Sequence, residues 1–182
     1  MSGTLTDRTI AFLVANDGVE QSELTHPWRA VCASGGRAVL LAPDRGHVQT
    51  YRHLDRMDRY PVDVTLDAAD AADYAAVVLP GGVANPDILR RVPAAHRLLR
   101  NADAAGTTIA AICHGPWTLI DAGLVAGRTL AAWPSLATDL TNAGATWTAD
   151  RTHIDGTLIT AQSDQDVDTF TALLLAAVGE SS

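Results

Sequence analysis

Cysteine is scarce in this chain: Cys32 and Cys113 are its two, too few for a disulfide framework and too unlike in surroundings to suggest a pair. A reducing, cytoplasmic setting is the expectation. Basic residues are also few and scattered, 13 against 21 acidic ones for a net charge of −8, which repels phosphate backbones and anionic bilayers over most of the surface. Nucleic acid and membrane are therefore not expected partners. The amino terminus has no basic stretch leading into an apolar one, and no apolar run approaches about 18 residues, so neither an export signal nor a spanning helix is expected. The histidines, at positions 26, 47, 53, 96, 114 and 153, join no Cys, His or carboxylate in a zinc or iron ligand pattern. No metal and no cofactor is implied. Repeats and low-complexity tracts are absent as well, and the 182 residues with 47% hydrophobic content suit a single domain spanning 1–182 with a sizeable core.

What is present alternates between two periods. The run from Thr9 to Ala15 is short, apolar and rich in β-branched residues before it stops at Asn16-Asp17-Gly18, as a strand buried on both faces should. Residues 20–34 follow with Leu24, Trp28, Val31 and Cys32 at helical spacing and Gly35-Gly36 as the stop, which predicts a helix and places Cys32 in the core. Buried-strand runs recur at 37–42, 75–79 and 107–112, separated by a polar stretch at 48–66 that predicts short excursion strands and by a helix over 86–105 that Pro93 starts late or kinks. A helix follows Cys113 as far as Ala122. The last third predicts a helix over 135–143, a hairpin at Asp155-Gly156 and an amphipathic helix over 164–178. Such alternation argues for an α/β fold, a parallel sheet between helices with its strand ends and its ligand site on one edge.

Three segments at that edge carry chemistry. Cys113 passes from strand to helix without a loop, so its sulfur is presented over a helix N-terminus, where the dipole and free N–H groups favour a thiolate. Gly115 is the small residue such a turn requires, and Pro116 suits a first helical turn. Pro80-Gly81-Gly82 ends the neighbouring strand, and its glycines let backbone N–H groups approach a ligand as half of an oxyanion site. Glu20 and Glu23 lie three residues apart at the start of the first helix and share a face. One of them can point at the sulfur; for Glu20, a plain carboxylate complementing the helix dipole is the equal alternative.

The segments Asn16-Asp-Gly-Val-Glu-Gln-Ser-Glu23 with Pro27, Leu79-Pro-Gly-Gly82 with Asn85-Pro-Asp87, and Ala110-Ala-Ile-Cys-His-Gly-Pro116 run in this order along nearly the whole chain. With Trp133-Pro134-Ser135, Asp139, Asn142-Ala143-Gly144 and Asp155-Gly156, the chain resembles the PfpI (intracellular protease) branch of the DJ-1/PfpI superfamily. The resemblance implies a flavodoxin-like three-layer sandwich of the kind also found in class I glutamine amidotransferases, and a homodimer or higher homo-oligomer. It implies Cys113 as nucleophile, Glu23 as the acid contacting it, His114 as the adjacent imidazole, and Asp87 as an acid reaching the partner subunit's His114. Trp133 falls at a pocket position. Where relatives show Ser-Arg, this chain has Ala161-Gln162-Ser163, so a cation near the pocket is missing. The expected activity is a cysteine hydrolase or lyase acting on a carbonyl, as a peptidase or amidase on peptides or as a glyoxalase or protein deglycase on small carbonyl compounds, in a stress-protective role. The alternative is a redox sensor working by oxidation of Cys113. A glutamine amidotransferase would need a downstream His paired with Glu, and His153-Ile154-Asp155 is only a partial echo.

Overall fold

The computed structural model describes residues 5–180. The strands, in chain order, are β1 (Thr9–Leu13), β2 (Asp17–Glu20), β3 (Arg37–Ala42), β4 (His47–Arg52), β5 (Asp55–Pro61), β6 (Val64–Thr65), β7 (Ala76–Leu79), β8 (Thr108–Ile112), β9 (Thr129–Ala131), β10 (Thr146–Thr148), β11 (Thr152–Asp155) and β12 (Leu158–Ala161). The helices are α1 (Gln21–Ala33), α2 (Ala84–Leu89), α3 (Pro93–Ala104), α4 (Pro116–Ala122), α5 (Ala137–Asn142) and α6 (Val167–Glu180).

Seven strands form the main sheet in the order β11-β12-β8-β7-β1-β3-β6. Every neighbouring pair is parallel except the β11–β12 hairpin. Strands β3-β1-β7-β8-β12 follow the flavodoxin-like order, whose direction of winding reverses between β1 and β7, the place where such sheets bind ligands. The period of two divides the core: Ile10, Phe12 and Val78 face α1 and α6 beside Leu24, Val31, Phe170 and Leu174. Ala11, Leu13, Val77 and Leu79 face the other way, onto Leu98, Leu99 and Leu119 of α3 and α4. That is the three-layer sandwich expected of buried parallel strands.

Two local expectations change and one gains detail. Residues 86–105 make two helices instead of one, because Pro93 takes the first position of α3, where its missing N–H leaves nothing unpaired. The polar stretch forms the short strands expected of it, β4 and β5 making a hairpin that adds to β2 in a small sheet of its own. Cys32 is exposed, not core. The buried stripe of α1 is Glu23, Leu24, Pro27 and Val31, and one further residue turns Cys32 by about 100°, off that stripe.

Candidate active site

The site grows from the β8–α4 elbow. Cys113 has φ +61°, a left-handed conformation that non-glycine residues adopt only when their surroundings impose it. Both of its backbone groups are held: its N–H donates to the Ala161 carbonyl at 3.0 Å and its carbonyl accepts from the Trp133 N–H at 2.9 Å. The Gly115 N–H closes the turn on the Ile112 carbonyl at 2.8 Å, and a Cβ at Gly115 would lie 2.4 Å from the Leu79 carbonyl oxygen. Glycine is therefore required at that step.

Beneath the elbow, Glu23 projects from the first turn of α1 and is buried. Its Oε2 accepts the Gly81 N–H at 2.7 Å, and its carboxyl lies near enough to the Cys113 sulfur for each group to shift the other's titration. A Cβ on Gly81 would come within 2.5 Å of Glu23 Oε2 and 2.8 Å of the Cys113 Cβ, so glycine lets the three groups meet. Gly81 thus has a different task from the one expected: its N–H holds Glu23 and is not free for an oxyanion. Gly82, at φ +81°, and His114 line the cleft. The turn is fixed by Asn85, a buried residue whose Oδ1 accepts the Ala15 N–H at 2.7 Å and whose Nδ2 donates to the carbonyls of Pro80 at 3.0 Å and Gly81 at 3.1 Å. One amide side chain ties the exits of β1 and β7 together.

His114 Nδ1 lies 3.3 Å from the Cys113 sulfur. Its ring stacks on Trp133, with centroids 5.7 Å apart, and burial lowers its pKa, so the neutral imidazole is favoured at neutral pH. Burial outweighs the Gly81 hydrogen bond at Glu23 and raises its pKa to about 8, with the charge of Glu20 adding to the rise. Glu23 is protonated near pH 7. The Cys113 thiol is also pushed up, first by burial and next by the charge of an ionised Glu23, against the pull of the His114 backbone N–H. This reverses the direction expected from the helix terminus alone, because only two short turns of helix follow and the sulfur is shielded from water. With Glu23 neutral the repulsion is removed, and burial remains the main force holding the proton on the Cys113 thiol; the two groups titrate as a coupled pair.

Glu20 does not face the sulfur. Its Oε2 accepts the backbone N–H of His53 at 2.9 Å, anchoring the tip of the β4–β5 hairpin where His53 has φ +57°. Asp87, on α2, is exposed at the cleft rim; its backbone N–H donates to the Val83 carbonyl, and its carboxylate makes no hydrogen bond or ion pair among the described residues. Trp133, 41% exposed, forms a wall beside His114. All but Gly81 of the expected site residues line one cavity of about 940 Å³, together with Tyr51, Leu54, Trp117 and Asp164, which the sequence reading missed. Asp164 follows the carboxyl end of β12 and Trp117 lies one turn past Cys113, so the edge rule could have found both; Tyr51 and Leu54 arrive on the hairpin without such a signal. A second, apolar hollow of about 350 Å³, lined by Leu24, Trp28 and Tyr60, holds neither cysteine. Among the described residues no cluster of three or more His, Cys, Asp or Glu could hold a metal ion, and no helix is long and apolar enough to cross a membrane.

A flavodoxin-like sheet with a cysteine elbow at its carboxyl edge, a buried acid beneath it and an imidazole beside it defines a class of cysteine-centred α/β proteins. Residues 8–177 match the model of the DJ-1/PfpI family, and the chain belongs to that family. It is 32% identical over 158 residues to a deglycase of Pyrococcus horikoshii, covering 87% of this chain and 92% of the relative. It is 29% identical over 163 residues to YraA of Bacillus subtilis, provisionally named a cysteine protease, covering 90% and 94% respectively. Among solved structures, a two-domain protein from Anabaena variabilis with DJ-1/ThiJ/PfpI-like and ferritin-like domains superposes with a TM-score of 0.88 at 31% identity, over 94% of this chain and 48% of that one.

Proposed function

We propose that the chain is an enzyme whose Cys113 sulfur attacks the carbonyl carbon of a small aldehyde, a glycated adduct or an amide. The observation that carries this reading is the set of three groups at the elbow: a sulfur on a strained turn, an imidazole nitrogen 3.3 Å away, and a carboxyl buried against them. Attack forms the carbon–sulfur bond and moves the carbonyl π electrons onto oxygen, where the N–H groups of Gly82 and His114 are the available donors. The thiol proton passes to the His114 imidazole, which returns it to the oxyanion or to a leaving amine. Glu23, neutral, hydrogen-bonds the sulfur without opposing its charge. The relatives named as deglycases favour the aldehyde and adduct chemistry; YraA favours the amide.

A screen of the purified protein against methylglyoxal, glycated peptides and fluorogenic peptides tests the reading, with Cys113→Ala beside it. Turnover of one class, reduced at least about a thousandfold in the variant, is expected. Turnover retained by Cys113→Ala overturns it.

The site is proposed to be shared between subunits, Asp87 orienting the partner subunit's His114 in the tautomer that a base needs. Mixed dimers of Cys113→Ala and Asp87→Ala protein, each inactive alone, then hold one intact pairing. Activity recovering to about a quarter of the wild-type value is expected from statistical exchange. No recovery despite proven exchange rejects the shared site.

The second reading, a redox sensor, draws support from the same neutral Glu23, a ready donor to a sulfinate on Cys113. Silence in the substrate screen, together with a peroxide-induced gain of two oxygens on the Cys113 peptide, favours it.

A further inference from the structure

The charge around the cleft is one-sided. Asp17, Glu20, Glu23, Asp87 and Asp164 line it, whereas no arginine does. The chain has no lysine to offer, its 13 basic residues all being arginine. Three arginines are engaged elsewhere: Arg90 lies 4.6 Å over the Trp117 ring and binds Asp121 at 2.6 Å. Arg151, whose carbonyl accepts the Gln162 N–H, binds Asp166. Arg56 reaches the Tyr51 hydroxyl at 3.4 Å and offsets Asp17.

The carboxylates are not equivalent either. Glu23 is neutral near pH 7 and Glu20 holds the hairpin. Asp164 is half-buried, makes no ion pair among the described residues, and its charge reaches both Glu23 and Cys113. The exposed apolar side chains of Leu54, Val83, Ile88 and Trp133 stand on the same cleft. Apolar walls around charge of one sign concentrate the field inside a cavity.

We propose that this cleft, taken as the carbonyl site argued above, selects substrates carrying an ammonium or guanidinium group on an apolar stem and turns away carboxylates and phosphates, with Asp164 as the residue that sets the preference. The stem lies against Trp133 and Ile88 while the cation faces Asp164. Glycated lysine and arginine side chains whose nitrogen keeps its charge have this form, as do amino-aldehydes; keto acids and sugar phosphates do not.

The preference is read without turnover by labelling Cys113 with three methanethiosulfonates of similar size: a neutral one, one bearing trimethylammonium and one bearing sulfonate. Each forms a disulfide with the Cys113 thiolate and releases methanesulfinate, so mass and rate report one event. A Cys32→Ser background leaves Cys113 as the single thiol, and 2-mercaptoethanol supplies each reagent's intrinsic rate. At low ionic strength the cation-to-anion rate ratio at Cys113 is expected to exceed that of the free thiol by about tenfold, and to fall toward it in about 0.5 M salt. Asp164→Asn is expected to lower the ratio about threefold and Asp164→Lys to bring it below that of the free thiol. A ratio matching the free thiol overturns the proposal, as does a raised ratio that neither variant changes or a sulfur that no reagent reaches. Failure of the carbonyl reading would show as absent turnover with the ratio still raised, so the two failures are distinct.

Discussion

Glu20 and Glu23 stand three residues apart where β2 passes into α1, yet one belongs to the rim of the site and the other to its floor. Glu20 accepts a backbone N–H from a hairpin and holds a surface element in place. Glu23 accepts a backbone N–H from a sheet-edge turn and is buried so deeply that it keeps its proton at neutral pH. The two side chains differ in what surrounds them: Glu23 is walled by main chain from β7, β8 and α1, while Glu20 lies against the hairpin tip at the edge of the cleft. The floor is rigid by construction, with Gly81, Gly115, Asn85 and Cys113 each fixed by hydrogen bonds or by contacts that admit no Cβ.

The floor should break first. Gly115→Ala drives a Cβ into the Leu79 carbonyl and is expected to destabilise the fold by at least about 2 kcal/mol, measured as a lower denaturation midpoint in urea with an unchanged slope. An unaltered midpoint would show that the elbow has room.

Glu23→Gln tests the floor's charge. The carboxyl pKa is raised on folding from 4.5 to about 8, so the folded chain binds the extra proton and the associated stability is present below pH 4.5 and lost as pH rises through about 8. Wild-type stability should therefore fall relative to Glu23→Gln between pH 5 and pH 8.5, by a few kcal/mol, in parallel urea titrations. The same change should simplify the pH dependence of Cys113 alkylation to one ionisation while leaving the exposed Cys32 unaffected. Parallel stability curves would mean that Glu23 is ionised throughout.

Glu20→Gln sharpens the contrast with the smallest effect. An amide oxygen can still accept the His53 N–H, so stability should change by less than about 1 kcal/mol. Loss of the Glu20 charge should move the Glu23 step of the pH–stability curve to lower pH, since that charge helps to raise it. Faster hydrogen exchange at His53 than in the wild type would locate any loosening at the hairpin tip.

The same division separates what the sequence discloses from what it does not. Buried strands such as Ala76–Leu79 and Thr108–Ile112 announce themselves by uninterrupted apolar runs, and the Cys113 elbow by the residues beside it in the chain. Cys32 was misplaced because a helical face is narrow and one residue of rotation decides burial. Asn85 gives no local sign of its bond to Ala15, 70 positions away, and Glu20 none of its bond to His53, 33 positions away. The direction of the Cys113 shift was hidden too, because burial and a neighbouring carboxyl are properties of the packed site and the helix terminus is the only part written in adjacent residues.

The left-handed backbone at Cys113 also bears on how this position can change over evolutionary time. Glycine adopts that conformation without a steric penalty, so replacing the cysteine by glycine would relieve roughly 1 kcal/mol of strain, whereas alanine would keep the strain and still lose the sulfur. Folding alone therefore pushes the residue toward an inert form, and a lineage released from the need for a thiol here should drift to glycine before alanine.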